Sequence, residues 1–257
     1  MAGSPRDIAS KDYMQTFARG LDVIRAFDAE HPCMTLSQVA ARTGLTRAAT
    51  RRYLLTLTAE GYAVFDGKAY RLGPRILDLG YAYLSSLDIW EGALTVLTDV
   101  TRRLGESCSA SVLDGDEIVY VARVAASRIM AVGLRVGSRL PAFHTSMGRM
   151  LLAHLPIVDL ERLLEGRAFD KLTPHTVNDP NEIRAILRRT AHQGWSLTNQ
   201  ELELGLMSIA VPLRDRSGRV TAAINVSSQA GRITPEHLIE NVLPVLLTAA
   251  ERIVSVA

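Results

Sequence analysis

The sequence predicts an α+β protein: an N-terminal winged helix-turn-helix, a linker helix, and a C-terminal α+β domain on an antiparallel sheet. Three observations carry this. Between Leu36 and Leu72 two helical runs meet at Gly44 and lead into an alternating hairpin. Over 74–88 apolar residues recur at helical spacing. Beyond them the order is helix, paired strands, helices, paired strands, helix, which suits antiparallel hairpins and not a doubly wound parallel sheet.

The elements follow in order. Residues 1–14 are expected to be a disordered tail and 15–73 the winged helix-turn-helix. Phe17, Leu21, Ile24 and Phe27 recur at helical spacing and supply a supporting helix. In the motif itself, Ala40 is small where two helices touch, and Gly44 tolerates the positive φ of the corner. Thr46 is placed to cap the second helix. Leu36, Val39, Leu45, Tyr53, Leu54 and Leu57 form an inner face, which leaves Arg47, Ala48, Arg51 and Arg52 outside. Arginine there can bond phosphates or reach guanine edges, so double-stranded DNA is the expected partner, with Lys68 of the wing assisting. The wing reads as Tyr62–Phe65, a two-residue turn at Asp66-Gly67, and a return over Lys68–Leu72. Residues 1–73 hold ten Lys or Arg against seven Asp or Glu, and the remainder nineteen against twenty. The basic excess therefore sits in the part that would meet phosphate.

Gly73-Pro74 ends the wing and starts the linker helix, 74–88, whose stripe of Ile76, Leu77, Gly80, Tyr83, Leu84 and Leu87 suits packing on a neighbouring subunit or within its own chain. Residues 89–257 form the second domain. A helix over 89–104 presents Leu94, Leu97, Val100 and Leu104 and stops at Gly105. Strands are expected at 107–113, 117–124 and 128–135, with breaks at Gly137 and Pro141. Helices follow at 145–155, 157–165 and 180–193, the last capped by Asp179 with Glu182 as box partner. A hairpin pairs 207–214 with 219–227, and Thr234-Pro235 opens the closing helix.

Composition narrows the function classes. The chain has 257 residues, 47% hydrophobic and 22% charged, with a net charge of +2, as in an ordinary soluble globular protein of two domains. Its small net charge points to local, dimer-assisted DNA binding. No secretory signal and no membrane-spanning run is evident, so the expected location is cytoplasmic. Cys33 and Cys108 lack metal-like spacing and read as reduced packing residues. The run His144-Thr-Ser146-Met-Gly148 lacks the glycine that a nucleophile elbow needs at its first position. His144, His154, His175 and His192 have no metal-site spacing. No cofactor, metal or catalytic residue is expected. A protein-interaction adaptor using the winged helix without DNA, or a DNA-linked hydrolase, are the alternative readings.

Taken together, these segments resemble the IclR family of bacterial transcription regulators from about Phe17 to Val256. The resemblance rests on Leu36-Ser-Gln-Val-Ala40, Gly44-Leu-Thr-Arg47, Arg52-Tyr-Leu-Leu55, Leu57 and Glu60-Gly-Tyr62 in the first domain. In the second it rests on Leu140-Pro141, His144–Gly148 entering Leu151-Leu-Ala153, Gln200-Glu201 before Gly205, Ser208–Leu213 and Gly218–Ser227. It implies a homodimer or dimer of dimers on operator DNA, and a GAF-like domain that binds a small organic acid effector. The family's effector contacts fall here on the backbone amides around Ser146 and Met147 and on the side chains of Ser208, Asn225 and Ser227, with Thr198 or Asn199 nearby. Thr198-Asn199, Ser208 and Asn225 stand where some members have a carboxylate, cysteine and serine, which argues against a small 2-oxo acid. The Ala223–Ser227 strand and Gln200–Glu203 are more similar to the branch regulating aromatic-acid catabolism, including protocatechuate, 4-hydroxybenzoate and β-ketoadipate-pathway genes. An aromatic or dicarboxylic acid is the expected effector. Amides at the start of the helix after Thr145 could hold its anion, with Arg135, His144 and Arg149 as cationic assistants.

Overall fold

A computed structural model of the chain describes residues 12–86, 90–126 and 133–256, divided between two units, Met1–Tyr83 and Leu84–Ala257. The expected tail thus falls largely on residues 1–11, outside the described ones.

In the first unit, helices α1 (Gln15–Arg25), α2 (Leu36–Thr43) and α3 (Arg47–Ala59) precede strands β1 (Ala63–Phe65) and β2 (Tyr70–Leu72). Thr35 starts α2 with a reciprocal capping box to Gln38, and Gly44 ends it at φ 65°, the left-handed corner that a side chain would strain. Thr46 then caps α3 by accepting from the Ala49 amide at 3.2 Å. Val23, Phe27, Met34, Val39, Leu54 and Tyr70 form the core. Phe17 is corrected: it is 66% exposed, because it lies six positions before Val23, roughly 240° around a helix that advances about 100° per residue. The wing also differs from expectation. Phe65 pairs with Tyr70, so the connection is the four residues 66–69 and not a two-residue turn. There the Asp66 amide donates to the Ala69 carbonyl at 3.1 Å, and the Asp66 carboxylate braces the turn by accepting from the amides of Lys68 (2.9 Å) and Ala69 (2.8 Å).

Helix α4 (Ile76–Leu84) is shorter than the expected 74–88; residues 87–89 lie outside the described ones. It buries none of its residues. Its exposed apolar side chains include Leu79 and Tyr81 as well as Leu77 and Tyr83, so they cover more of the helix than the single expected stripe.

The second unit is one six-stranded antiparallel sheet in the order β5-β4-β3-β8-β7-β6. Its strands are β3 (Ser107–Asp114), β4 (Glu117–Val124), β5 (Arg139–Pro141), β6 (Ser196–Asn199), β7 (Leu206–Arg214) and β8 (Val220–Gln229). Two three-stranded meanders, each continuous in sequence, meet along the β3–β8 seam, where Ser107 faces Ser227 and Ser109 faces Asn225. Three expectations are corrected. The strand foreseen at 128–135 falls on residues 128–132, outside the described ones, and on 133–135, which are not strand; the pairing is made by Arg139–Pro141. Strand β6 was not foreseen. Leu94 is 41% exposed; Ala93, Val96, Leu97 and Val100 carry the buried side of α5 (Trp90–Leu104).

Helix α5 and the closing helix cover one face of the sheet. The latter begins at Pro235–His237 (α9), passes through a π-helical stretch over Leu238–Val242 and continues as Leu243–Val256 (α10). On this face Ile209, Val211, Ile224 and Val226 meet Leu97, Leu246 and Ile253 in a core without water-facing groups. Buried Cys108 belongs to it, its thiol pushed up to about 12 by desolvation, whereas Cys33, expected to pack, is exposed. The opposite face carries α6 (Ser146–Leu152), α7 (Ile157–Leu164) and α8 (Pro180–Gln193). Asp179 caps α8 by accepting from the Asn181 amide at 3.0 Å, the bond of an Asx turn in place of the expected box with Glu182. Gly148 lets α6 close on the turn Ala142–His144: a Cβ there would stand 2.1 Å from the Ala142 carbonyl oxygen. No helix among the described residues is long and apolar enough to cross a membrane.

Candidate DNA interface and effector cavity

Helix α3 offers Arg47, Ala48, Arg51 and Arg52 as exposed residues on one side of the motif while Thr50 and Leu54 are buried. The 3.6-residue period separates the two sets, since Thr50 and Leu54 are four apart. Lys68 is exposed at the wing tip, and Arg71, which the sequence reading did not single out, is exposed on β2. Among the described residues, Arg47, Arg51, Arg52 and Lys68 have no carboxylate within 4.0 Å. Arg42 differs: its guanidinium is engaged by Asp28 at 2.7 Å. The free arginines are thus concentrated on the helix that projects from the turn, where phosphate or base edges could take their donors.

In the second unit a cavity of about 240 Å³ lies against the sheet face that carries α6. Alternation along the strands builds its floor. Ser227, Ser208 and Thr198 are lateral neighbours on β8, β7 and β6, and Arg123, Ser109 and Asn225 are neighbours on β4, β3 and β8. Ser208 ties the floor to the roof, its hydroxyl hydrogen-bonded to those of Ser146 (2.8 Å) and Thr198 (3.1 Å). The Asn225 amide donates to Ser227 Oγ at 3.0 Å, while its Oδ1 is buried without a partner. The Arg123 guanidinium donates to Ser109 Oγ at 3.2 Å. Leu134, Leu140, Leu202 and Leu206 supply apolar wall, with Tyr120, whose phenol burial pushes up to about 12. His144 and Thr145 complete it from the turn ahead of α6. Burial, reinforced by the Arg149 charge, lowers the His144 pKa below the usual 6.5, and its Nδ1 has no partner.

One further pair fixes the wall. Arg149, 1% exposed, is gripped by both oxygens of Glu201 (2.6 and 2.5 Å) and donates through Nε to the Phe143 carbonyl at 2.9 Å. Glu201 opens the loop that brings Leu202, Glu203 and Leu206 to the cavity. Gln200 beside it takes φ 59°, and its carbonyl accepts from Thr173 Oγ1 at 2.6 Å. The pair therefore joins α6 to that loop.

Of the effector residues expected from the sequence, Thr198, Ser208, Asn225 and Ser227 line the cavity together, and Ser146 joins them through Ser208. Met147 lies in the core beneath, its sulfur 3.3 Å from Ser111 Oγ. Asn199 is corrected: it is paired with Met207, which puts its side chain on the α5 and α10 side. Among the expected cations, Arg149 is fully paired and Arg135 is exposed outside the lining; His144 lines the cavity but is held toward its neutral form. Arg123, Tyr120 and the leucines were missed. For Arg123 the signal was present, a charge inside an otherwise apolar β-prone run.

Comparison with known proteins agrees with both units. A family model described as the IclR helix-turn-helix domain matches residues 16–67, and one described as the bacterial transcriptional regulator IclR C-terminal matches 81–255. The chain is 44% identical to the Pca regulon regulatory protein of Pseudomonas putida over 93% of its length and 82% of that protein. It is 35% identical to the p-hydroxybenzoate hydroxylase transcriptional activator of Acinetobacter baylyi, over 97% and 94%. Among solved structures, one from Rhodococcus sp. RHA1 is 46% identical with a TM-score of 0.85, covering 95% of this chain and 98% of that one. An IclR homolog from Microbacterium hydrocarbonoxydans, complexed with 4-hydroxybenzoate, is 26% identical with a TM-score of 0.85, over 94% and 98%. The Pseudomonas, Acinetobacter and Rhodococcus proteins are all named as regulators or activators. The two units, matched in order and nearly end to end, place this chain in the IclR family of bacterial transcriptional regulators.

Proposed function

We propose that this regulator grips operator DNA with α3, through Thr46, Arg47, Ala48, Arg51 and Arg52 and with Lys68 from the wing, and that a small organic acid in the cavity sets its output. The acid is an aromatic acid or dicarboxylate of aromatic catabolism. The observation that carries this is the cavity itself: in a sheet covered on both faces, Ser208, Asn225, Ser227 and Thr198 surround open space where packing would otherwise call for apolar side chains. Its volume of about 240 Å³ lies below the roughly 300–1,000 Å³ of sites for drug-sized ligands, which suits a single ring or a six-carbon chain. The bound 4-hydroxybenzoate of the Microbacterium homolog supports the ring acid. The Pca and p-hydroxybenzoate regulators support aromatic catabolism as the setting.

The working form is a cytoplasmic homodimer or dimer of dimers. The exposed Leu77, Leu79, Tyr81 and Tyr83 of α4 support it, since they give a second copy an apolar surface to cover. An effector alters output only if it binds the DNA-competent and incompetent arrangements with different affinity. Gel-shift titration on the promoter beside its own gene tests the reading. Specific retardation that resists random competitor DNA is expected, with a midpoint that moves when 4-hydroxybenzoate or adipate is added. Arg51→Ala should weaken the complex by about 1–3 kcal/mol if the residue meets a base edge. Retardation indifferent to every acid and to Arg51→Ala would overturn it.

A further inference from the structure

We propose that Arg123 binds the effector's carboxylate. The proposal deepens the reading of the cavity as an acid site and rests on it.

The ionisable side chains lining the cavity are Tyr120, Arg123, His144 and Glu203. Tyr120 stays a neutral phenol, and burial holds His144 toward its neutral form at neutral pH. Glu203 is exposed. That leaves Arg123 as the positive charge of the lining, and it is only partly exposed. Among the described residues no carboxylate lies within 4.0 Å of it; its recorded partner is the hydroxyl of Ser109 at 3.2 Å. The contrast with Arg149 is direct. That guanidinium, on the same side of the sheet, is satisfied by two oxygens of Glu201 and the Phe143 carbonyl. A guanidinium offers five N–H donors in a planar fork, and a carboxylate matches two of them side by side. A partly desolvated cation without a counter-ion favours whichever small anion can reach it.

The floor gives the bound acid a direction. Ser109 stands between Arg123 and Asn225 in the cross-strand row, so a carboxylate on Arg123 sits at the β4 end. The rest of the molecule then extends over Asn225, Ser227 and Ser208, all uncharged. The buried Asn225 Oδ1 lacks a donor, which a hydroxyl on the ligand could supply. One end of the effector is read by charge and the other by neutral hydrogen bonding.

The test uses the full chain, titrated calorimetrically with two acids and their neutral amides: 4-hydroxybenzoate against 4-hydroxybenzamide, and adipate against adipamide. For whichever pair binds, wild type should prefer the acid by about thirtyfold or more. In Arg123→Gln that preference should collapse toward unity by loss of acid affinity, with the amide bound as before, which also reports an intact fold. Arg123→Lys should recover part of the preference, because it restores the charge without the fork. Arg123→Gln retaining the preference for acid over amide would overturn the proposal while leaving the cavity reading in place. Wild type binding neither acid would overturn the cavity reading itself.

Discussion

On the α5 and α10 side, β8 presents Ala222, Ile224 and Val226; on the other side the same strand presents Ala223, Asn225 and Ser227. Strand β7 repeats the division, with Ile209 and Val211 facing one way and Ser208 and Ala210 the other. Both faces are covered by helices, so solvent does not explain the difference. A sheet buried on both sides normally reads as an almost continuous apolar run. Serine, threonine and asparagine at alternate positions of such strands mark the face that borders the cavity.

The comparison can be broken most severely at the buried Arg149–Glu201 pair of the polar face. Arg149→Met should cost the second unit about 3–5 kcal/mol by leaving Glu201 buried without its counter-ion, with only the Val177 amide still donating to it. Arg149→Met with Glu201→Leu should recover most of that loss. Urea unfolding followed by tryptophan fluorescence reads it cleanly, because Trp90 and Trp195 both belong to Leu84–Ala257. A double variant as unstable as the single one would mean that the pair stabilises the unit by more than mutual neutralisation. On the apolar face, Ile224→Ala should cost about 2–5 kcal/mol by creating a cavity and should leave acid selectivity unchanged in the folded fraction. Altered selectivity there would show that the faces are not independent.

Ser208→Ala should cost less, about 1–3 kcal/mol, because Ser146 and Thr198 lose a shared partner. It should also weaken acid binding, so stability and affinity fall together on this face alone. The smallest effect is in pH. The folded protein binds a proton at His144 less readily than the unfolded chain does, chiefly from burial and then from Arg149. Between the lowered folded value and about 6.5 the unfolded chain therefore holds more protons, and stability falls as pH drops through that window. The melting temperature of the second unit should decline from pH 7.5 to 5.5, and His144→Gln should flatten part of that slope. An unchanged slope in the variant would assign the effect to other groups.

Local punctuation made much of the fold legible. Helix α8 is legible at its start because Asp179-Pro180 opens it, and the structure shows Gly194, at φ 79°, closing it; the turn at Gly44 is legible from the same kind of punctuation. What escaped depends on partners distant in sequence. Strand β6, Ser-Leu-Thr-Asn, is too short and polar to declare itself and exists because β7 pairs with it. Of neighbours Thr198 and Asn199, only one can face the cavity, and the choice rests on register with Ser208, which no local pattern reveals. The hydroxyl and amide residues that line the cavity are named by family resemblance and not by local pattern. Arg123 is visible in the sequence as a charge inside an apolar β-prone run, but that it has no counter-ion is a property of three-dimensional surroundings and not of the run.

The seam between β3 and β8 bears on how the protein matures. Ser109 and Asn225, paired across it, are more than a hundred residues apart in the chain, so the cavity floor is not complete until the two meanders have docked. Joining such distant segments is a slow kind of step, because the intervening chain must surrender its freedom before the contact forms. An acid that binds only the docked form draws newly made chains toward it by mass action. The same metabolite that informs the regulator would thereby act as its folding ligand, and cells supplied with it would accumulate more of the protein able to sense it.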